Sequence, residues 1–275
     1  MRIIADSSCD LYTLDWPDFR TVPLTIFTRE RSFTDEVSLD IKEMLDYLAG
    51  YKGRSYTSCP SADAWLNAFE GADEIFVVTV TSSLSGSYNS AMLAANQYIE
   101  ENPDVKISVI DSLSTGAEEI LLLLKLTEYA KDCASFEETD RKIREYLKKS
   151  RLFFSFFSLH NLSQNGRVNK AAAAALSLLN IAVTGTATQD GKISVTGKAR
   201  GEKKSVRTLV QEITNAGYQG GRAIITHVEN EKSAESLKQE ILKEWPQADV
   251  RIFPARGLCS YYMERRGVVI SCETA

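Results

Sequence analysis

Short β-branched and aliphatic runs alternate through the first half of the chain with longer stretches whose apolar positions recur every three to four residues. That alternation predicts a mainly parallel sheet covered by helices. Strands are expected at 2–5, 21–27, 74–80 and 106–110, and helices at 41–48, 61–69, 85–100 and 115–132, with Ser61 and Ser85 as candidate N-caps. A charge-rich amphipathic helix is expected over 136–149, after which the aromatic stretch 151–157 reads as a strand or buried segment. Beyond it come an Ala-rich helix at 170–179 and two strands at 181–186 and 192–197, joined by the turn Gln189-Asp190-Gly191. A helix at 202–216 follows, and strands and helices then alternate to 271. The expected fold class is α/β in two domains: a three-layer α/β/α unit with a parallel sheet over 1–151, and an α/β unit with a mixed sheet over 152–275.

Composition removes several function classes. The chain has 275 residues, 44% hydrophobic and 25% charged, enough for one large or two medium domains. A net charge of -5 argues against a nucleic-acid surface, which needs a concentrated excess of Lys and Arg. The longest run of large aliphatics, 120–124, falls far short of the ~20 apolar residues a membrane span requires. The apolar stretch after Met1 ends at Asp6, so no signal peptide is expected and a soluble cytoplasmic protein is. Cys9, Cys59, Cys133, Cys259 and Cys272 form no close pair, and His160 and His227 are the only histidines. Disulfides and metal or cofactor chemistry are therefore not expected.

Hydroxyls collect where the strand at 74–80 gives way to a helix: Thr79, Thr81, Ser82, Ser83, Ser85 and Ser87 surround Gly86. At the carboxyl end of a parallel strand the first N–H groups of the next helix are unpaired, so hydroxyls there either receive an anionic or polar head group or simply cap the helix. No GxxxxGK[ST], GxGxxG or GxSxG pattern occurs at this turn, which disfavours nucleotide binding and a serine hydrolase. Two further polar turns, with Ser7 and Ser8 after the first strand and Thr57, Ser58, Cys59 and Ser61 before a helix, would converge on the same rim of a doubly wound sheet. Ser7, Ser58, Ser83 and Gly86 are thus candidate ligand contacts beside Thr57 and Ser85. A pocket walled by hydroxyls with few charges suits a carboxyl group better than a polyphosphate.

The ordered set Asp6-Ser7-Ser8, Val22-Pro23-Leu24, Thr57-Ser58-Cys59-Pro60-Ser61, residues 82–91, Ile110-Asp111-Ser112, Asn165-Gly166-Arg167-Val168 and Lys198-Ala199-Arg200-Gly201 resembles the motifs of the DegV family, in order and over nearly the whole chain. The resemblance implies a fold similar to the substrate-binding half of dihydroxyacetone kinases, with a long-chain fatty acid between the domains. It implies that Thr57 and Ser85 hold the carboxyl group, that Arg200 engages a partner, and that the partner is an ATP-dependent, dihydroxyacetone-kinase-like fatty acid kinase making acyl phosphate. The carrier itself would perform no bond chemistry, and its exchange of lipid leaves room for transient contact with a membrane surface. Burying roughly fourteen methylenes at about 0.8 kcal/mol each is worth on the order of 11 kcal/mol, so tail burial would dominate affinity. The apolar segments 152–157 and 176–181 either line such a tunnel or form ordinary core.

Two departures stand out. Members of the family often carry His-x-Gly-Pro-Gly near the C-terminus, the histidine lying near the carboxyl group, where this chain has Met263-Glu264-Arg265-Arg266-Gly267. They often carry Ile-Lys-Pro where this chain has Ile181-Ala182-Val183. Glu264 near a carboxylate would be repulsive unless Arg256, Arg265 or Arg266 neutralised it, and the cluster reads as a solvated helix face. Competing readings are a transfer enzyme with Ser85 or Cys59 as nucleophile and His160 or His227 as base, a carrier of a different small ligand, and a module that binds protein only.

Overall fold

The computed structural model of the protein describes residues 1–169 and 180–274. β1 (Arg2–Asp6) is buried along its whole length and is followed by a 3-10 turn at Ser7–Cys9. The strand expected at 21–27 is two strands in two different sheets: β2 (Phe19–Val22) pairs parallel with β1, whereas β3 (Thr25–Phe27) pairs antiparallel with β4 (Ser32–Thr34). Pro23 explains the break, since it has no N–H to give a ladder. After α1 (Ile41–Gly50), β5 (Tyr56–Ser58) joins the other edge of β3. β4 and β5 were not expected, because three-residue strands are too short to show an alternation.

α2 (Ala62–Phe69), β6 (Glu74–Thr79), α3 (Ser87–Glu101) and β7 (Lys106–Asp111) complete a parallel sheet of order β2-β1-β6-β7. β1 leads to β2 on one side and β6 leads to β7 on the other, so a crevice opens at the carboxyl ends of β1 and β6. α4 (Ala117–Asp132) and α5 (Phe136–Tyr146) follow. Ile120, Leu121, Leu122, Leu123 and Leu126 of α4 are all completely buried. A helix apolar on so many sides must be covered on several faces.

The second sheet supplies that cover. β8 (Ser150–Phe156) opens it, then α6 (His160–Gln164), β9 (Ile181–Ala187), β10 (Ile193–Arg200), α7 (Glu202–Asn215), β11 (Arg222–His227), α8 (Glu231–Glu244), β12 (Asp249–Pro254), α9 (Gly257–Met263) and β13 (Val268–Glu273). Its order is β10-β9-β8-β13-β11-β12, with only β11 and β12 parallel, the mixed sheet expected. α4 packs on β6 of the first sheet and on β8, β11 and β13 of the second. The β9–β10 hairpin forms as expected; Gly191 in its turn has φ +74° and lies so close to Thr81 that a Cβ would sit 2.0 Å from Oγ1. The Ala-rich helix expected at 170–179 lies outside the described residues.

Candidate functional site

Asp6, the last residue of β1, organises the crevice. Its carboxylate accepts the N–H groups of Ser8 and Val80 and the hydroxyls of Ser8 and Ser87, tying the turn after β1 to the β6–α3 turn. Ser8 Oγ lies 2.5 Å from both Asp6 Oδ1 and Glu119 Oε1. One hydroxyl carries one proton, so one of the two carboxyl groups must be protonated. Burial, reinforced by the charge of Asp6, raises the Glu119 pKa well above the usual range, so Glu119 is the neutral member and donates to Ser8.

Above this network lies a largely apolar cavity. Leu152, Phe154 and Phe156 line it from one face of β8, as the two-residue strand period requires. Leu162, Ile193, Leu258, Met263 and Val269 add to the apolar wall. The polar exceptions include Thr57, Ser85, Arg167 and Tyr262. Thr57 Oγ1 lies 2.7 Å from the phenolic oxygen of Tyr262. Ser85 Oγ accepts the N–H of Ser87 at 3.2 Å, which leaves the proton of its own hydroxyl free. The helix is thus capped from Ser85 although its N-cap position is Gly86. Arg167 is fixed by donating from Nε to Leu84 O (3.1 Å) and from Nη1 to Asn165 O (2.6 Å), and its guanidinium stands 5.9 Å from the Tyr262 ring centre.

Of the candidate contacts, the structure therefore brings Thr57 and Ser85 to one cavity and leaves the others off its wall. Ser7 is completely buried and its hydroxyl accepts the N–H of Leu24. Ser58 and Gly86 are exposed. Ser83 is exposed too and donates to Asp190 O, joining the β6–α3 turn to the β9–β10 hairpin. Arg200, at the end of β10, is exposed in a separate cleft with Lys203, Lys204 and Arg207. Sequence reasoning did not single out Arg167 or Tyr262 as site residues. Arg167 was visible only as part of the Asn165-Gly166-Arg167-Val168 motif, and nothing local marked Tyr262.

Neither histidine lines the cavity. His227 is half-buried, which lowers its pKa, and its Nδ1 accepts the N–H of Asn230 at 3.3 Å. It is a packed neutral residue. Met263, which stands where the resemblance expected a histidine, is buried in the cavity wall. Glu264 accepts the N–H of Asn161, while Arg265 pairs with Asp46 and Glu229 and Arg266 with Glu202. Arg256 is not part of that cluster: it is buried against Asp35 and Asp10 and stacks over Tyr12. Asp35 in turn accepts the first N–H groups of α9 from Gly257 and Leu258. Among the described residues no group of three or more His, Cys, Asp or Glu is arranged to hold a metal ion, and no helix is long and apolar enough to cross a membrane.

A profile described as an uncharacterised protein of the DegV family matches residues 1–273. A DegV domain-containing protein of Streptococcus pneumoniae is 44% identical over 276 residues, covering 99% of this chain and 98% of the relative. Among solved structures, a DegV family protein from Eubacterium eligens loaded with heptadecanoic acid superposes with a TM-score of 0.98 at 49% identity, covering 100% of this chain and 99% of that one. The Streptococcus pneumoniae fatty acid kinase (Fak) B3 protein loaded with linoleic acid superposes with a TM-score of 0.97 at 44% identity, again covering 100% and 99%.

Proposed function

The chain belongs to the DegV family, and we propose that it is a non-enzymatic carrier of one long-chain fatty acid. The acyl chain lies in the apolar cavity between the domains 1–151 and 152–275, and the carboxyl group meets the hydroxyls of Thr57 and Ser85. The observation that carries this reading is the pairing of a cavity apolar along most of its wall with two hydroxyls and one guanidinium at a single location. Burial of the tail supplies the affinity, and the polar atoms fix which end faces outward. The fatty acids seen in relatives at 49% and 44% identity support the ligand class.

Arg167 adds the positive charge that a carboxylate requires in a mainly apolar surrounding. No histidine reaches the cavity to act as a base for Ser85, so binding rather than turnover is the role these residues support. The carboxyl group is presented to an ATP-dependent fatty acid kinase, with the exposed patch around Arg200 as the contact; the fatty acid kinase relationship of the S. pneumoniae B3 protein supports this assignment.

Denaturing extraction of the purified protein followed by mass spectrometry tests the reading. A stoichiometric long-chain acid is expected. An extract without lipid, together with failure to bind added palmitate or oleate, would assign the cavity to another class of ligand.

A further inference from the structure

One recess in the cavity wall is polar and is not used by the head-group residues. Gly116, Thr226 and Cys259 line the cavity beside Leu258 and Val269. Gly116, at φ +53°, omits a side chain where three polar atoms converge: a Cβ there would lie 3.1 Å from Asp10 Oδ2, 3.5 Å from Cys259 Sγ and 3.8 Å from Thr226 Oγ1. The missing methyl leaves a notch that opens onto the space the acyl chain fills. It is distinct from the head-group end, where Thr57, Ser85 and Arg167 are bonded to Tyr262, Ser87, Leu84 and Asn165.

Two of the three atoms lack a partner. Asp10 and Thr226 are buried, and among the described residues neither Asp10 Oδ2 nor Thr226 Oγ1 makes a hydrogen bond. Asp10 is served only on its other oxygen, by the N–H of Arg256 at 2.6 Å. The thiol of Cys259 donates to Ser8 O at 3.3 Å, so its single proton is not available to Asp10. Thr226 stands between Ile224 and Val228, two buried residues of the same apolar cluster, which the two-residue strand period turns to the same face. Valine would fill that place with the same shape, whereas a buried hydroxyl without a partner is destabilising.

We propose that this notch is a second polar subsite, which takes the hydroxyl of a long-chain acid hydroxylated partway along its chain. The inference rests on the carrier reading above and narrows its ligand class. An alcohol both donates and accepts, which is what the notch requires. A carboxylate at Asp10 accepts a hydrogen bond from the alcohol, which accepts one from Thr226; a protonated Asp10 donates instead, and the alcohol donates on to Thr226 Oγ1. A keto oxygen only accepts, and a methylene does neither. A buried water makes about three hydrogen bonds to groups of this kind. Because this notch opens onto the ligand's own space, the chain can bring the oxygen instead.

The test uses the full-length, lipid-stripped protein with octadecanoic acid and with octadecanoic acids carrying a single hydroxyl, moved carbon by carbon along the chain. One isomer, or two neighbouring ones, is expected to bind at least as tightly as octadecanoic acid. The rest should bind about tenfold or more weakly, because their hydroxyl is buried against aliphatic wall without a partner. In the isosteric variant Thr226→Val the favoured isomer should lose its advantage, its affinity relative to octadecanoic acid falling about tenfold. A series without a favoured isomer, the result of a notch kept by water, would overturn the subsite, and so would a preference that survives Thr226→Val. If that variant does not fold, the wild-type series decides alone. A wild type that binds neither octadecanoic acid nor any isomer would instead overturn the carrier reading.

Discussion

The phenolic oxygen of Tyr262 lies 2.7 Å from Thr57 Oγ1, a hydrogen bond that joins α9 to β5 at the polar end of the cavity. The neighbouring tyrosine repeats the pattern two residues earlier, just before β5, with Tyr261 Oη 2.7 Å from Ser55 Oγ. Burial raises the pKa of Tyr262, so its phenol stays protonated and can donate to Thr57. Thr57 is then free to aim its own proton at a carboxylate.

Tyr262→Phe should therefore weaken fatty acid binding by about tenfold, the worth of one hydrogen bond, with a small change in melting temperature. A titration with a fluorescent fatty acid beside a thermal melt separates the two effects. Full affinity in a folded Tyr262→Phe protein would show that Thr57 needs no help in orienting.

Ser85→Ala removes a donor from the cavity wall and an acceptor from the Ser87 N–H. A loss of about 1 to 3 kcal/mol in fatty acid affinity is expected, in a protein that still folds. Unchanged affinity at native stability would take Ser85 out of the head-group site.

Arg200 lies outside the cavity, in the exposed cleft with Lys203, Lys204 and Arg207. Arg200→Ala should leave lipid affinity intact and reduce phosphorylation of the bound acid by a fatty acid kinase. Equal loss of binding and phosphorylation would place its role in the fold instead.

Stability should fall as pH rises from about 4 to about 7. Burial is the main cause that raises the Asp10 pKa to about 7 from 3.8, and burial also raises those of Asp6 and Asp35. Such a carboxyl group binds more protons folded than unfolded between these limits. Its contribution is complete below about pH 4 and lost as pH climbs through about 7, on the order of 4 kcal/mol for Asp10. Asp10→Asn keeps an oxygen for the Arg256 N–H, at 2.6 Å in the native protein, and should flatten the part of the slope between about pH 4 and 7. Thermal melts across pH on lipid-free protein would show it; an unchanged slope would assign the effect to another group.

Much of the fold was legible because long strands and helices announce themselves by period. β1, β6, β7 and the helices between them match their runs of apolar residues, and α4 was marked by its unbroken aliphatic centre. The small sheet of β3, β4 and β5 was not, since three-residue strands carry no period and Pro23 was hidden inside an apolar run. That sheet matters for function: it carries Thr57, paired with Ile26 of β3.

By itself the sequence determined the alternation of strand and helix, the hydroxyl-rich turns and the ordered motifs that include Thr57, Ser85, Arg167 and Arg200. Only the tertiary structure decided which hydroxyls face a ligand, because capping a helix and facing a cavity call for the same side chains in the same turns. Ser7 and Ser83 are occupied by Leu24 N–H and Asp190 O, whereas Thr57 and Ser85 reach the cavity. Tyr262 stands 205 positions from Thr57, and no local pattern encodes a contact made by packing α9 against β5.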